Sequence, residues 1–224
     1  MTTHVTENIR AIRQDIAAHA TGPVRLVAVT KFATPAQVVE AWQAGIRDFG
    51  ENRLQVAEEK MSRLPAEVMQ SVDWHFIGHL QKNKVNKVVG RFAWIHSVDS
   101  AELACAINAR AESLGIIQPV LCQVNISGEE SKSGFSPEAI TTGFGSLLTL
   151  ANLRIDGLMT MAPQTDQEAR IRETFQKLKD LQATLETRHG VSLPERSMGM
   201  SNDYVHALIY GATILRLGSR IFNR

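Results

Sequence analysis

An alternation of short β-rich runs with longer helical stretches constrains this chain more than any other feature of its sequence. VRLVAVT at 24–30 is an apolar, β-branched run, and TPAQVVEAWQAG follows it with helical spacing up to Gly45. DFGEN, WHFIGHL, WIHSVDS, PVLCQVNIS, LRIDGLMTM, RSMGM and ILRLGSRIF are seven further runs. Helical segments such as AELACAINARAESLG and EARIRETFQKLKDLQATLETRHG lie between them, with Gly115 and Gly190 placed as helix-ending glycines. Strands that alternate with helices form right-handed βαβ units and a parallel sheet. About eight such units in this length predict an α/β fold, a closed (β/α)₈ TIM-type barrel. An open doubly wound sheet is the alternative, but no GxGxxG turn follows the first strand. Residues 5–18 read as an extra N-terminal helix covering the barrel bottom or side.

The 224 residues carry no low-complexity tract or linker, so one domain spanning 1–224 is expected. Lys+Arg 24 against Asp+Glu 23 leaves a net charge of +1, which excludes a bulk electrostatic footprint for nucleic acid or an anionic membrane. The first residues have no apolar leader core and no stretch is long enough to span a bilayer, so a cytoplasmic protein is expected. Cys105 and Cys122 lie far apart in apolar surroundings and read as core residues rather than a disulfide or zinc site.

Polar residues and glycines gather at the C-terminal ends of the candidate strands, where a barrel places its functional face. Lys31 follows VAVT; Glu51 and Asn52 follow DFG; His75 and Gly78 lie in WHFIGHL; Asn125 and Ser127 end the fifth run and Met159–Met161 the sixth. A strand-end lysine in a partly desolvated mouth presents the neutral amine that Schiff-base chemistry requires. The plainer alternative is a lysine snorkelling to water. Ser197, Gly199 and Ser201 in RSMGMS precede a helical NDYVHALIYGA, with Ser201 or Asn202 as its N-cap. Together with Gly218 and Ser219 in RLGS they resemble a barrel phosphate site, or else form an ordinary capped turn. Trp42, Trp74 and Trp94 read as packing anchors, and His75 as a core or supporting residue without metal-ligand partners nearby. Lys82, Lys84 and Lys87 suit a solvated helix face or a docking patch, and Lys132 sits on a loop within reach of the mouth.

The segments AVTKFATPAQVVEAWQAGIRDFGENRLQ, WHFIGHLQKNK, VNISGEESKSGF, GLMTM, SMGMSNDY and ATILRLGSRIF resemble the pyridoxal 5′-phosphate (PLP) homeostasis proteins, the YggS/PROSC-like family. The resemblance covers nearly the whole chain; HL at 79–80, where members commonly carry PL, is one departure on the motif's rim. It implies a barrel similar to the N-terminal domain of alanine racemase, of fold-type III, with PLP as cofactor. It implies that Lys31 forms the internal aldimine, that Ser201, Gly218 and Ser219 bind phosphate, and that Arg216 faces the pyridine nitrogen. Asn52, His75 and Met159 would line the cofactor pocket.

An arginine opposite the pyridine nitrogen favours the unprotonated ring and so a weak electron sink. The tyrosine that racemases of this fold bring from a second domain has no counterpart here, because Tyr204 and Tyr210 both precede the last strand. The expected function is therefore binding and delivery of PLP in vitamin B6 homeostasis, not catalysis, by a monomer whose partners are PLP and apo PLP-dependent enzymes. The rival reading is a fold-type III amino-acid racemase, and a weaker one is a sugar-phosphate barrel enzyme without PLP.

Overall fold

The structure, a computed structural model, describes residues 3–129 and 132–223. Its strands are β1 (Arg25–Val29), β2 (Asp48–Glu51), β3 (Asp73–Phe76), β4 (Trp94–Val98), β5 (Gln118–Gln123), β6 (Leu153–Met159), β7 (Glu195–Ser197) and β8 (Ile214–Leu217). All pair in parallel and in sequence order, and β1 closes on β8 with Val27 opposite Arg216. The helices are α1 (His4–His19), α2 (Pro35–Gln43), α3 (Leu54–Met61), α4 (Ala66–Gln70), α5 (Val85–Val88), α6 (Ala101–Ser113), α7 (Pro137–Leu147), α8 (Glu168–His189), α9 (Tyr204–Ile209) and α10 (Ser219–Phe222). Each strand coincides with one of the eight runs, with β3, β5 and β7 starting one residue earlier than the run, and the barrel is the expected TIM type. No described helix is long and apolar enough to cross a membrane.

Local signals account for several boundaries. Thr34 and Gln37 form a reciprocal capping box at the start of α2, with Pro35 in its first turn. Ser100 and Ser136 cap α6 and α7 through their hydroxyls. Gly190 ends α8 in the left-handed conformation that a Cβ disfavours. α1 buries Val5, Ile9 and Ile12 and packs on α2, α9 and α10, so the extra helix covers the barrel's side. Asn8 holds it there by donating to the Ile221 and Asn223 carbonyls at 3.1 and 3.0 Å.

Two expectations are corrected. Cys105 is exposed on α6, and only Cys122 is buried, where desolvation pushes its thiol up to about 12. Neither Ser201 nor Asn202 caps α9. A turn intervenes, in which Asp203 accepts from the Met200 N–H, and the helix begins after Asp203. QKNKVNK is a one-turn 3₁₀ helix at Lys82–Lys84 running into α5, with Lys82 and Lys87 exposed as a solvated helix face would have them.

The main apolar core fills the layer between strands and helices, while a small cluster of Val27, Trp94, Leu121, Met159 and Ile214 occupies part of the barrel interior. Sheet closure demands close backbone approach at Gly157, where a Cβ would fall 1.8 Å from the Glu195 carbonyl oxygen of β7. Gly143, inside α7, has open space around its Cβ position. Gly157→Ala is therefore expected to destabilise by about 1–3 kcal/mol or more. Gly143→Ala should stabilise by about 0.5–1 kcal/mol. Urea denaturation midpoints of the two variants should move in opposite directions.

Candidate functional site

The C-terminal ends of the strands surround a cavity of about 1390 Å³. It brings together Lys31, Asn52, Ser201, Arg216, Gly218 and Ser219 from four different loops or strand ends. His75 and Met159 do not line it. Both are buried in the barrel interior, 0% and 1% exposed. Lys132 does not line it either, because its ammonium is taken up by Glu129, Ser127 and the Ala162 carbonyl, tying the loop after β5 to the one after β6. Lys82 and Lys84 lie away from it.

Lys31 stands just past β1 and is exposed, with Nζ 5.0 Å from the centre of the Phe32 ring. The expected desolvation is absent: β1 ends at Val29, and Lys31 and the 87% exposed Phe32 occupy an open turn. What precedes Lys31 is rigid. The Thr30 N–H donates to the Gly50 carbonyl at 3.0 Å and its hydroxyl to Glu51 Oε1 at 2.5 Å. Lys60 Nζ, buried on α3, donates both to Glu51 Oε1 at 2.5 Å and to the Thr30 carbonyl. Lys60 went unnoticed in the sequence because LQVAEEKM looks like an ordinary polar helix; only the packing of α3 puts this lysine inside.

Two glycines let the mouth close up. A Cβ on Gly78 would lie 2.1 Å from the Asn52 carbonyl oxygen, so glycine there lets the loops after β2 and β3 interlock and bring Asn52 to the cavity. A Cβ on Gly218 would lie 3.2 Å from the Val29 carbonyl oxygen, tight against the end of β1. Ser201 Oγ accepts from the Gly218 and Arg220 N–H groups at 3.3 and 3.2 Å. A hydroxyl and a run of backbone N–H groups thus share one corner, a donor set suited to the oxygens of a phosphate.

Arg216, on β8, is 4% exposed yet reaches the cavity. Its NH1 donates to Ser197 Oγ at 2.6 Å and its NH2 to the Thr160 carbonyl at 2.9 Å. Two of the five guanidinium N–H groups are thereby used, leaving three without a protein acceptor among the described residues. No carboxylate pairs with it among those residues. Burial pushes it down to about 10, opposed by the charge of Asp203, so it remains a cation at neutral pH. Asp203, also on the cavity wall, is raised from its ordinary value by burial, although the Met200 N–H and the charge of Arg216 oppose this. Asp203 belongs to the site without having been singled out in the sequence.

Below Arg216 the interior is polar. His96 Nδ1 lies 2.9 Å from Ser197 Oγ, and His96 Nε2 lies 2.9 Å from His75 Nδ1. His75 Nε2 is 3.0 Å from Asp48 Oδ1, which also accepts from Arg25 at 2.9 Å. Ser197, read as a possible phosphate contact, is fully buried in this group instead. Burial alone would raise Asp48, but bonds from His75 and Arg25 outweigh it and hold the carboxyl below its usual value. His96 is held well below the usual imidazole value, first by burial and then by the neighbouring His75, Arg216 and Arg25.

Residues 2–223 match the family described as alanine racemase, N-terminal domain. A pyridoxal phosphate homeostasis protein of Synechocystis is 41% identical over 212 residues, covering 95% of this chain and 96% of that protein. One from Aquifex aeolicus is 39% identical over 198 residues, covering 88% and 86%. The structure of PipY from Synechococcus elongatus superposes with a TM-score of 0.90 without PLP and 0.85 with PLP bound, at 34% identity and over 98% of this chain and 100% of that one. An alanine racemase of Clostridium difficile has a TM-score of 0.76 over 97% of this chain and 60% of its own, at 13% identity, a likeness of fold.

The buried neutral His96 sets a pH dependence. Unfolded, an imidazole takes up a proton below about pH 6.5; folded, His96 does so only well below that. Stability from this group is complete above about pH 6.5 and falls, as pH drops towards the folded value, by up to about 1.4 kcal/mol per pH unit. His96→Gln is expected to remove one proton's worth of that slope, measured by urea unfolding across the range from neutral to mildly acidic.

Proposed function

This chain belongs to the family of pyridoxal phosphate homeostasis proteins, and on that premise we propose that it holds PLP in the barrel-mouth cavity and hands it on without turning it over. The observation that carries the reading is convergence. A primary amine at Lys31, a hydroxyl-and-amide corner at Ser201, Gly218 and Ser219, and the buried cation of Arg216, without a carboxylate partner among the described residues, face one space. These match the three ends of the ligand: an aldehyde, a phosphate and a ring nitrogen with a lone pair. PLP is present in the 34% identical PipY structure.

In this reading Lys31 Nζ would condense with the aldehyde carbon, whose oxygen leaves as water, and the rigid Thr30–Glu51–Lys60 group fixes where that amine starts from. Ser201 with the Gly218 and Ser219 backbone receives the phosphate, Asn52 approaches from the rim, and His75 acts from beneath. Met159 lies in the apolar cluster under the floor and supports the site without touching the ligand. Bound there, PLP supplies an electrophilic carbon and an electron-withdrawing ring. Arg216 can donate to the ring nitrogen but, as a persistent cation, does not protonate it, which keeps that withdrawal weak.

Three features favour storage and delivery over racemisation. Lys31 is exposed, so water and other amines reach the attachment point. The cavity exceeds what a small cofactor fills, since ligand pockets typically measure about 300–1,000 Å³. Neither tyrosine lines it: the Tyr204 hydroxyl donates to Asp15 on α1, and Tyr210 lies at the far end of α9. A racemase requires a second positioned acid opposite the lysine, worth about 10²–10⁴-fold. Apo PLP-dependent enzymes are the proposed recipients. An exposed, unpaired Cys105 suits the reducing cytoplasm as the place of action.

Borohydride reduction of the PLP-loaded protein should fix a pyridoxyl group on Lys31, located by peptide mass mapping; a label confined to any other lysine would refute the assignment. Ser201→Ala is expected to weaken retention of PLP by about tenfold or more, as loss of a charge-assisted hydrogen bond does. Binding of phosphate-free pyridoxal should barely change, and equal losses would count against the phosphate corner. Chiral chromatography should find no rapid racemisation of alanine or other amino acids. Turnover near about 10 s⁻¹, the ordinary enzyme median, would identify a racemase instead.

A further inference from the structure

The polar groups under the cavity form one chain of hydrogen bonds whose direction is fixed at both ends. Arg216 can only donate, and it donates to Ser197 Oγ at 2.6 Å. The Ser197 hydroxyl then has its own proton to give, and the acceptor in reach is His96 Nδ1 at 2.9 Å. At the other end the Asp48 carboxylate can only accept, so the His75 nitrogen facing it at 3.0 Å, Nε2, carries a proton. Between the two rings one contact of 2.9 Å remains, from His96 Nε2 to His75 Nδ1. With His96 Nδ1 accepting from serine, its Nε2 is the donor and His75 Nδ1 the acceptor. Both rings are therefore neutral Nε2–H tautomers, and every donor along the chain meets an acceptor.

We infer that Ser197, His96 and His75 are positioning residues for Arg216: they tie its guanidinium, through hydrogen bonds of one direction, to the Asp48 carboxylate across the barrel. The inference rests on the reading that Arg216 meets the ring nitrogen of PLP. Arginine is long and flexible, and Asp203 shares its cavity wall. Nothing in the bond from NH2 to the Thr160 carbonyl alone stops the side chain from turning towards that carboxylate. The serine link does. It ties NH1 to Ser197, which does not line the cavity, while Arg216 itself does and keeps donors without a protein acceptor among the described residues. The two histidines in turn hold the serine proton away from Arg216, so that its oxygen always presents a lone pair to the guanidinium.

The inner face of the barrel supports the same reading. Asp48, His75, His96, Ser197 and Arg216 come from five different strands, and all but Asp48 are nearly or fully buried. A buried polar network is costly unless its members are satisfied; here the serine and both rings are satisfied in one arrangement, and the spare donors belong to Arg216 at the cavity. The chain ends at the Arg25–Asp48 pair, whose side chains are 34% and 18% exposed at the opposite end of the barrel. An apolar filling of equal volume would pack the interior at less electrostatic cost, but it would leave Arg216 unheld.

The test uses the apo protein titrated with PLP and with its 1-deaza analogue, in which C–H replaces the ring nitrogen. Ser197→Ala removes one oxygen and cuts the link to Arg216. It should weaken PLP binding by about tenfold, the effect of one hydrogen bond to a charged group, and change analogue binding less than about twofold. His96→Phe should do the same. His96→Gln, whose amide can accept from serine and donate to His75, should recover most of the PLP affinity. Long-range ¹H–¹⁵N spectra of the apo protein should show both His75 and His96 protonated at Nε2 alone. Equal loss for both ligands, no loss for PLP, or an Nδ1-protonated ring at either position would overturn the inference. Absence of a Lys31 label after borohydride would instead remove the cofactor reading, while the tautomer pair in the apo protein would still report the chain itself.

Discussion

Arg216 carries a full positive charge inside the barrel, 4% exposed, with no carboxylate against it among the described residues. A cation so placed persists only if its donors find acceptors and the remainder of its field finds something to act on. The first need is met in part, by Ser197 and the Thr160 carbonyl for two of the five donors. The second opens onto the cavity. Much of the interior follows from this one group: the serine needs a partner for its own proton, which brings in His96, then His75, then Asp48 and Arg25. A barrel of this size is ordinarily filled by layers of branched apolar side chains, and here such filling is confined to the cluster around Met159 and Trp94.

Around this interior the loops are stiffened by different means at each side of the mouth. Near Lys31 the device is electrostatic, a buried Glu51–Lys60 pair at 2.5 Å that also grips Thr30. Breaking one partner of such a pair is costly because it strands the other charge in a dry environment. Near Asn52 and Gly218 the device is steric, since glycine lets backbone approach backbone where a side chain would collide at Gly78 and be crowded at Gly218. The ligand-facing atoms are thus mounted on fixed supports, while Lys31 and Phe32 themselves stay exposed. A firm socket with an open attachment point suits a protein that takes up a reactive aldehyde and gives it up again.

Much of this was legible in the sequence. The eight strands, the covering helix and the glycine after α8 follow from hydrophobic periodicity, cap residues and turn chemistry, which act within a few residues of one another. The gathering of Lys31, Asn52, Ser201, Arg216, Gly218 and Ser219 on one face was also readable, because a parallel barrel sends every strand's C-terminal end the same way. Less legible was burial at single positions. Cys105 and Lys60 sit on helices whose patterns are weakly amphipathic, and which side of such a helix meets the barrel depends on its neighbours. The signal that was present but unread lay in the strands: Asp48 and His96 are polar residues among apolar ones, and they meet His75, Ser197 and Arg216 inside the barrel.

The sequence by itself determined the order of elements, their parallel closure and the residue types offered at the mouth, because these rest on local conformational preference and on the single handedness of βαβ units. Only the tertiary structure decided which polar groups meet. His75 and His96 are 21 residues apart, and His96 and Ser197 are 101 apart. Their pairing depends on the stagger of neighbouring strands, which sets the height of each side chain inside the barrel. No short-range rule contains that stagger, because it is fixed by the closure of all eight strands at once.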